Sequence, residues 1–145
     1  MKRFVLAISA IALVSGAALA DPIADRKALM KERGGLIGQL APIAKGEKPF
    51  DAAAVLAALQ GLAANGEKFD TATLFPAGSD MGDTKASPKI WEDMAGFNAA
   101  EDKFEAAVAA AIAAPAQDLD GFKAQFGAVA SSCGGCHQTY RLPQS

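Results

Sequence analysis

Near the C-terminus, Cys133, Gly134, Gly135, Cys136 and His137 form a C-x-x-C-H run, and His137 is the only histidine of the chain. Two thiols three residues apart with an adjacent imidazole suit three chemistries. The thiols can add across the two vinyl groups of a haem while the imidazole ligates the iron, which is the signature of c-type haem attachment. They can instead act as a thiol–disulfide pair, which needs a low-pKa cysteine near a helix N-terminus beside a βαβ pattern. Or they can hold zinc, which wants four ligands in a structural site, and the fourth is not specified here. A plain disulfide, or two buried thiols beside an uninvolved histidine, is the non-functional alternative.

The compartment bears on the choice. Lys2 and Arg3 precede an apolar run from Phe4 to Val14, and Ala18-Leu19-Ala20 ends it with small residues. This pattern predicts a cleaved secretory signal peptide over residues 1–20, too short to favour a permanent membrane anchor. Residues 21–145 then form a single domain of 125 residues, the size of one hydrophobic core. Removing Lys2 and Arg3 leaves 12 basic against 16 acidic residues, a formal charge of −4. A mildly acidic chain without a basic tract argues against nucleic acid or an anionic membrane surface as partner. No segment after residue 20 is long and apolar enough to cross a bilayer, so stable membrane insertion is not expected. Export to a periplasm permits a disulfide as well as haem attachment.

The elements that must position the run are helical. Alanine dominates, β-branched residues are sparse and period-two alternation is absent. The first segment, from Asp21-Pro22 to about Ala44, carries the stripe Ile23, Arg26, Met30, Arg33, Ile37, Leu40 and Ala44. The second runs from about Asp51 to Lys68 with Val55, Leu56, Leu59 and Leu62 inward. A connection without periodicity, "FDTATLFPAGSDMGDTKA", follows. The third segment opens on Ser87-Pro88, places Ile90, Met94, Phe97, Phe104, Val108 and Ile112 on one face, and ends before Pro115. The fourth starts near Asp118 and aligns Phe122, Phe126, Val129, Cys133, Cys136 and Tyr140. Both cysteines therefore share the inward stripe of the last helix. The predicted fold is all-α, an antiparallel four-helix bundle with two short connections and one long one. In an exported, all-helical chain, haem attachment is favoured over thiol exchange and zinc. The two intervening glycines, each costing a helix up to ~1 kcal/mol, then relieve crowding beside the macrocycle.

The first-helix "DRKALMKERG", the third-helix "PKIWEDMAGF" and the fourth-helix "CGGCHQTYR" resemble the class II c-type cytochromes, the cytochrome c′ family. The resemblance spans essentially the whole mature chain. It implies one covalent haem c inside the bundle, held by Cys133 and Cys136, with His137 on one iron face. The opposite face meets a first-helix side chain, and the matching position is Met30 in "ALMK". Methionine there implies the six-coordinate, low-spin, cytochrome c-556-like branch, whereas a non-ligand implies a five-coordinate, high-spin protein that binds NO or CO. Met81 and Met94 carry no such match and are read as loop and packing residues.

Haem propionates are anionic and need cationic or hydrogen-bonding partners. Arg26, one turn before Met30, and Arg141, one turn after His137, are candidates; the alternative for each is a solvated flank. Trp91 is a candidate for packing near the macrocycle, and Phe97, Phe104, Phe122 and Phe126 are read as core. Lys27, Lys31 and Lys123 could form a docking surface or serve solubility alone. The function implied is periplasmic electron transfer through transient contact with other redox proteins. No catalytic constellation is visible, so the chain is not read as an enzyme. Family members are often homodimers through their first two helices, and that assembly stays open here.

Overall fold

The structure is a computed structural model that describes residues 21–143. The predicted signal peptide lies outside the described residues. Four long helices are present: α1 (Pro22–Ala44), α2 (Ala52–Gly66), α5 (Met94–Ala113) and α6 (Leu119–Tyr140). Two single-turn helices, α3 (Thr71–Leu74) and α4 (Lys89–Glu92), lie in the long connection between α2 and α5. α1 packs on α2, α2 on α5, α5 on α6 and α6 back on α1, which closes the bundle.

Aspartates set the helix starts. Asp21, Asp51, Asp93 and Asp118 each cap a long helix, their carboxylates accepting amide hydrogens of the first turn. The Asp21 carboxylate takes Ile23 N at 3.0 Å and Ala24 N at 3.1 Å, one residue before Pro22 opens α1. At the other end of α1, Gly46 at φ 76° turns the chain toward α2, a conformation open to glycine without a Cβ clash.

Two core clusters sit at opposite ends. One joins the C-terminal halves of α1 and α5 to most of the length of α2 and to the N-terminal half of α6, through Leu40, Leu59, Leu62, Val108, Phe122 and Val129. The other gathers Leu29, Leu74, Phe75, Ile90, Phe97 and Tyr140. That pairing of halves is the antiparallel arrangement the periodicity predicts.

Three expectations need correction. The third predicted helix is broken: Asp93, at φ −140° and ψ 57°, separates α4 from α5. Its carboxylate accepts from Gly96 N at 3.1 Å and from the Tyr140 hydroxyl at 3.0 Å, so it serves as a cap in the middle of the predicted run. A Cβ on Gly96 would lie 2.5 Å from both Asp93 Oδ2 and the Tyr140 oxygen, which makes glycine necessary there. Next, the connection read as lacking periodicity contains the helical turn α3, and its Leu74, Phe75 and Ser79 are buried. Last, the buried face of α1 runs through Arg26, Leu29, Arg33, Leu40 and Ile43. Met30 stays half-buried beside it, and Leu56 on α2 is likewise half-buried rather than core.

Candidate functional site

At the end held by the aromatic cluster, the bundle opens into a cavity of about 520 Å³, within the range of cofactor sites. α1 lines it with Arg26, Met30 and Arg33, α5 with Phe97, Glu101 and Phe104, and α6 with Cys133, Cys136, His137 and Tyr140. The loop before α4 adds Thr84, Lys85 and Ala86, and Arg141 stands at the same mouth. The structure thus brings Cys133, Cys136, His137 and Met30 into one space, although more than a hundred residues separate Met30 from the cysteines.

Both cysteines are free thiols and half-buried. Burial pushes the Cys136 thiol up to about 11, with Glu101 adding to the effect, and burial raises Cys133 as well. A nucleophilic redox cysteine needs the opposite, a depressed thiol pKa in electropositive surroundings. No group of three or more His, Cys, Asp and Glu side chains suited to a metal ion occurs among the described residues, which leaves zinc without its ligand set. Apart from adjacent residues and the backbone of α6 itself, no protein atom lies within 4 Å of a Cβ built on Gly134 or Gly135, so packing against the rest of the chain does not demand glycine at either position.

His137 faces the cavity from the last turn of α6. Desolvation, then the positive charges of Arg141 and Arg33, lower its pKa, which favours the neutral imidazole that can ligate a metal.

Arg26 is buried, and its two terminal nitrogens are committed to the loop. Nη1 donates to Leu74 O at 3.2 Å and Ser79 Oγ at 3.0 Å, and Nη2 to Ser79 O at 2.6 Å and Thr84 Oγ1 at 2.7 Å. Its guanidinium also stands 5.1 Å from the Phe75 ring centre and 5.8 Å from that of Trp91. The four Nη hydrogens being used, Nε–H is the donor left for an anionic group in the cavity. Arg141 is exposed at the mouth, where the backbone around it pairs with the loop: Ser87 N donates to Tyr140 O at 3.0 Å and Leu142 N to Lys85 O at 2.8 Å. Trp91 is not a lining residue. It stands behind Phe75, its Nε1 donating to Phe75 O and Pro76 O, both at 3.1 Å.

Sequence reasoning missed a buried polar cluster in the wall. The Arg33 guanidinium meets Glu101 in a two-bond pair, Nη1 to Oε2 at 2.9 Å and Nη2 to Oε1 at 2.6 Å, while its Nε donates to Asn65 Oδ1 at 2.8 Å. A signal existed. Arg33 stands on an apolar stripe, and Glu101 falls between Phe97 and Phe104 at helical spacing, so each charge needed the other. Around the mouth, Lys27 pairs with Asp83 at 2.6 Å and Lys31 is exposed. Lys123 lies away from the cavity, beside Asp120 at 3.5 Å. No helix among the described residues is long and apolar enough to cross a membrane.

Comparison with known proteins agrees with this geometry. The model of the family described as cytochrome C′ matches residues 21–141. A cytochrome c-556 of Agrobacterium fabrum is 42% identical over 123 residues, covering 85% of this chain and 82% of that protein. A cytochrome c′ of Rhodopseudomonas palustris is 41% identical over 140 residues, covering 93% and 92%. The solved cytochrome c′ structure from Rhodopseudomonas palustris superposes with a TM-score of 0.80 at 40% identity, over 87% of this chain and 99% of that one. With its four-helix bundle and a C-x-x-C-H run opening into a bundle cavity, the chain belongs to the cytochrome c′ family, whose members carry one covalent c-type haem.

Proposed function

We propose that the protein is a periplasmic electron carrier whose single haem is anchored by Cys133 and Cys136, with His137 and Met30 as axial ligands to iron. The observation that carries this reading is that Met30 lines, from α1, the same cavity that receives the two free thiols and the imidazole from α6. The residues present fit the group. Two unpaired thiols, a neutral imidazole and a thioether converge on an apolar space walled by Phe97, Phe104 and Tyr140. When bound, the haem supplies reversible one-electron chemistry at iron.

The chain's own residues do the rest. Cys133 and Cys136 would hold the group covalently, each S–H adding across one vinyl double bond so that sulfur joins one carbon and hydrogen its neighbour, with no leaving group. His137 offers its neutral nitrogen. Met30 offers a soft, uncharged sulfur, a ligand that raises the reduction potential relative to a second histidine. Because no side chain needs to gain or lose a proton, both ligands can be retained in either oxidation state. The stiff bundle around them limits rearrangement on transfer. Arg26 Nε and Arg141 are the donors we assign to the haem carboxylates, and Trp91 acts one layer back, by bracing Phe75. Partners are other redox proteins that meet the cavity mouth transiently. Export with cleavage after Ala20 is part of the reading, supported by Asp21, which serves as the α1 cap from the first position of the mature chain.

The optical spectrum of the purified ferric and ferrous forms tests the ligand set. Low-spin bands in both forms are expected, and Met30→Ala should convert them to high-spin. A wild-type protein that is high-spin and takes up carbon monoxide readily would overturn methionine ligation and favour an NO- or CO-binding role.

A further inference from the structure

We propose that Arg33, Glu101 and Asn65 form a positioning clamp that sets where Met30 stands against the iron. The inference rests on the axial-ligand reading of Met30 but concerns different residues.

The clamp is buried and fully engaged. Arg33, Asn65 and Glu101 are 7%, 0% and 8% exposed, yet they line or back a cavity rather than a filled core. Arg33 lies three residues after Met30, within the same turn of α1. Its planar fork is held by Glu101 of α5 through the two bonds at 2.9 and 2.6 Å, and by Asn65 of α2 through Nε at 2.8 Å. The guanidinium is also stacked 4.2 Å from the Phe104 ring centre and 5.2 Å from that of Phe69. Asn65 works in both directions. While its Oδ1 accepts from Arg33, its Nδ2 donates to the Leu29 carbonyl at 3.1 Å and to Glu32 Oε2 at 3.2 Å. The Leu29 carbonyl belongs to the peptide bond that carries the Met30 amide. The turn from residue 29 to residue 33 is thus fastened to α2 and α5 on either side of Met30.

Stability alone is a weak reason for such a cluster. A buried ion pair commonly gives no more stability than apolar residues of the same volume. What the two-bond fork imposes is a fixed distance and angle between helices. On the cavity side of this part of α1 close packing cannot supply that precision, because the cavity takes the place of packed side chains. A metal ligand needs it, since a functional atom must be held to within about 0.5 Å of its working position.

The test uses the haem-loaded protein in wild-type form, as Glu101→Gln, and as the double variant Arg33→Met with Glu101→Leu. The double variant removes both charges together, so the bundle is expected to stay folded where the single change could unfold it. Three readouts are compared with wild type: the high-spin fraction of the spectrum, the rate of carbon monoxide uptake, and hydrogen exchange of the amides at residues 29–34. The expected result is a rise of about tenfold in carbon monoxide uptake, the scale typical for loss of a ligand-orienting partner. A larger high-spin fraction and faster exchange confined to that turn should accompany it. Unchanged uptake and exchange in the folded double variant would overturn the clamp. The wild-type spectrum judges Met30 ligation separately: if it is high-spin the ligand reading fails, while the exchange and uptake differences still decide whether the clamp orders this turn.

Discussion

Leu40, Leu59, Leu62, Val108, Phe122 and Val129 close one end of the bundle, each between 0% and 2% exposed. The other end is built from rings, with Phe75, Phe97 and Tyr140 in edge contacts at 4.8 and 5.2 Å, and it holds the cavity together with the buried Arg26 and Arg33. Aliphatic packing fills space without direction, so the closed end needs little beyond volume and pattern. Around an opening, side chains must instead be held by directional contacts. Here these are hydrogen bonds from Arg26 to the loop, the Arg33–Glu101 fork, and the Tyr140–Asp93 bond. One end keeps the helices together, and the other decides what they can hold.

Separate perturbations of the two ends should therefore give separate signatures. The largest effect is expected from Cys133→Ala with Cys136→Ala, which should abolish covalent haem altogether. Intact mass after denaturation reads this directly, the wild-type chain retaining the added mass of the cofactor and beginning at Asp21. Phe122→Ala at the closed end should cost about 3–5 kcal/mol of stability in denaturant unfolding. Because Phe122 is remote from the cavity, the absorption spectrum of the folded protein should not change; a spectral shift would mean that the two ends are coupled.

The smallest effect concerns Asp93. The Gly96 amide first, and then the Tyr140 hydroxyl, hold its carboxyl below the usual carboxylate range. A depressed folded pKa adds stability above the ordinary carboxylate pKa of about 4, and that stability is lost as pH falls through the folded value. Asp93→Asn should accordingly lower the melting temperature near neutral pH. The gap should narrow as the solution is acidified and the wild-type carboxyl takes up its proton. A gap independent of pH would show that the cap acts without its charge.

The same contrast governs what could be read from the sequence. The closed end follows from apolar spacing along single helices, and Val55, Leu59, Leu62, Phe122 and Val129 all lie where periodicity puts them. Asp21, Asp51 and Asp118 mark helix starts by local chemistry. The thiols and imidazole are legible from their run, and Met30 from its match to a family pattern. The fork left only an indirect trace, one charge on each of two inward stripes, because Arg33 and Glu101 are 68 residues apart and local periodicity scores such a charge as an interruption. The break at Asp93 was missed for a related reason. A capping aspartate looks like any polar residue until its distant partner Tyr140 is known. The buried part of the long connection depends likewise on Arg26, which reaches Ser79 across 53 residues.

The backbone pairing of residues 85–87 with residues 140–142 ties the loop before α4 to the end of α6 at the cavity mouth. Two segments far apart in the sequence therefore frame one opening. A substitution that loosens either segment should widen the doorway while leaving the aliphatic end packed.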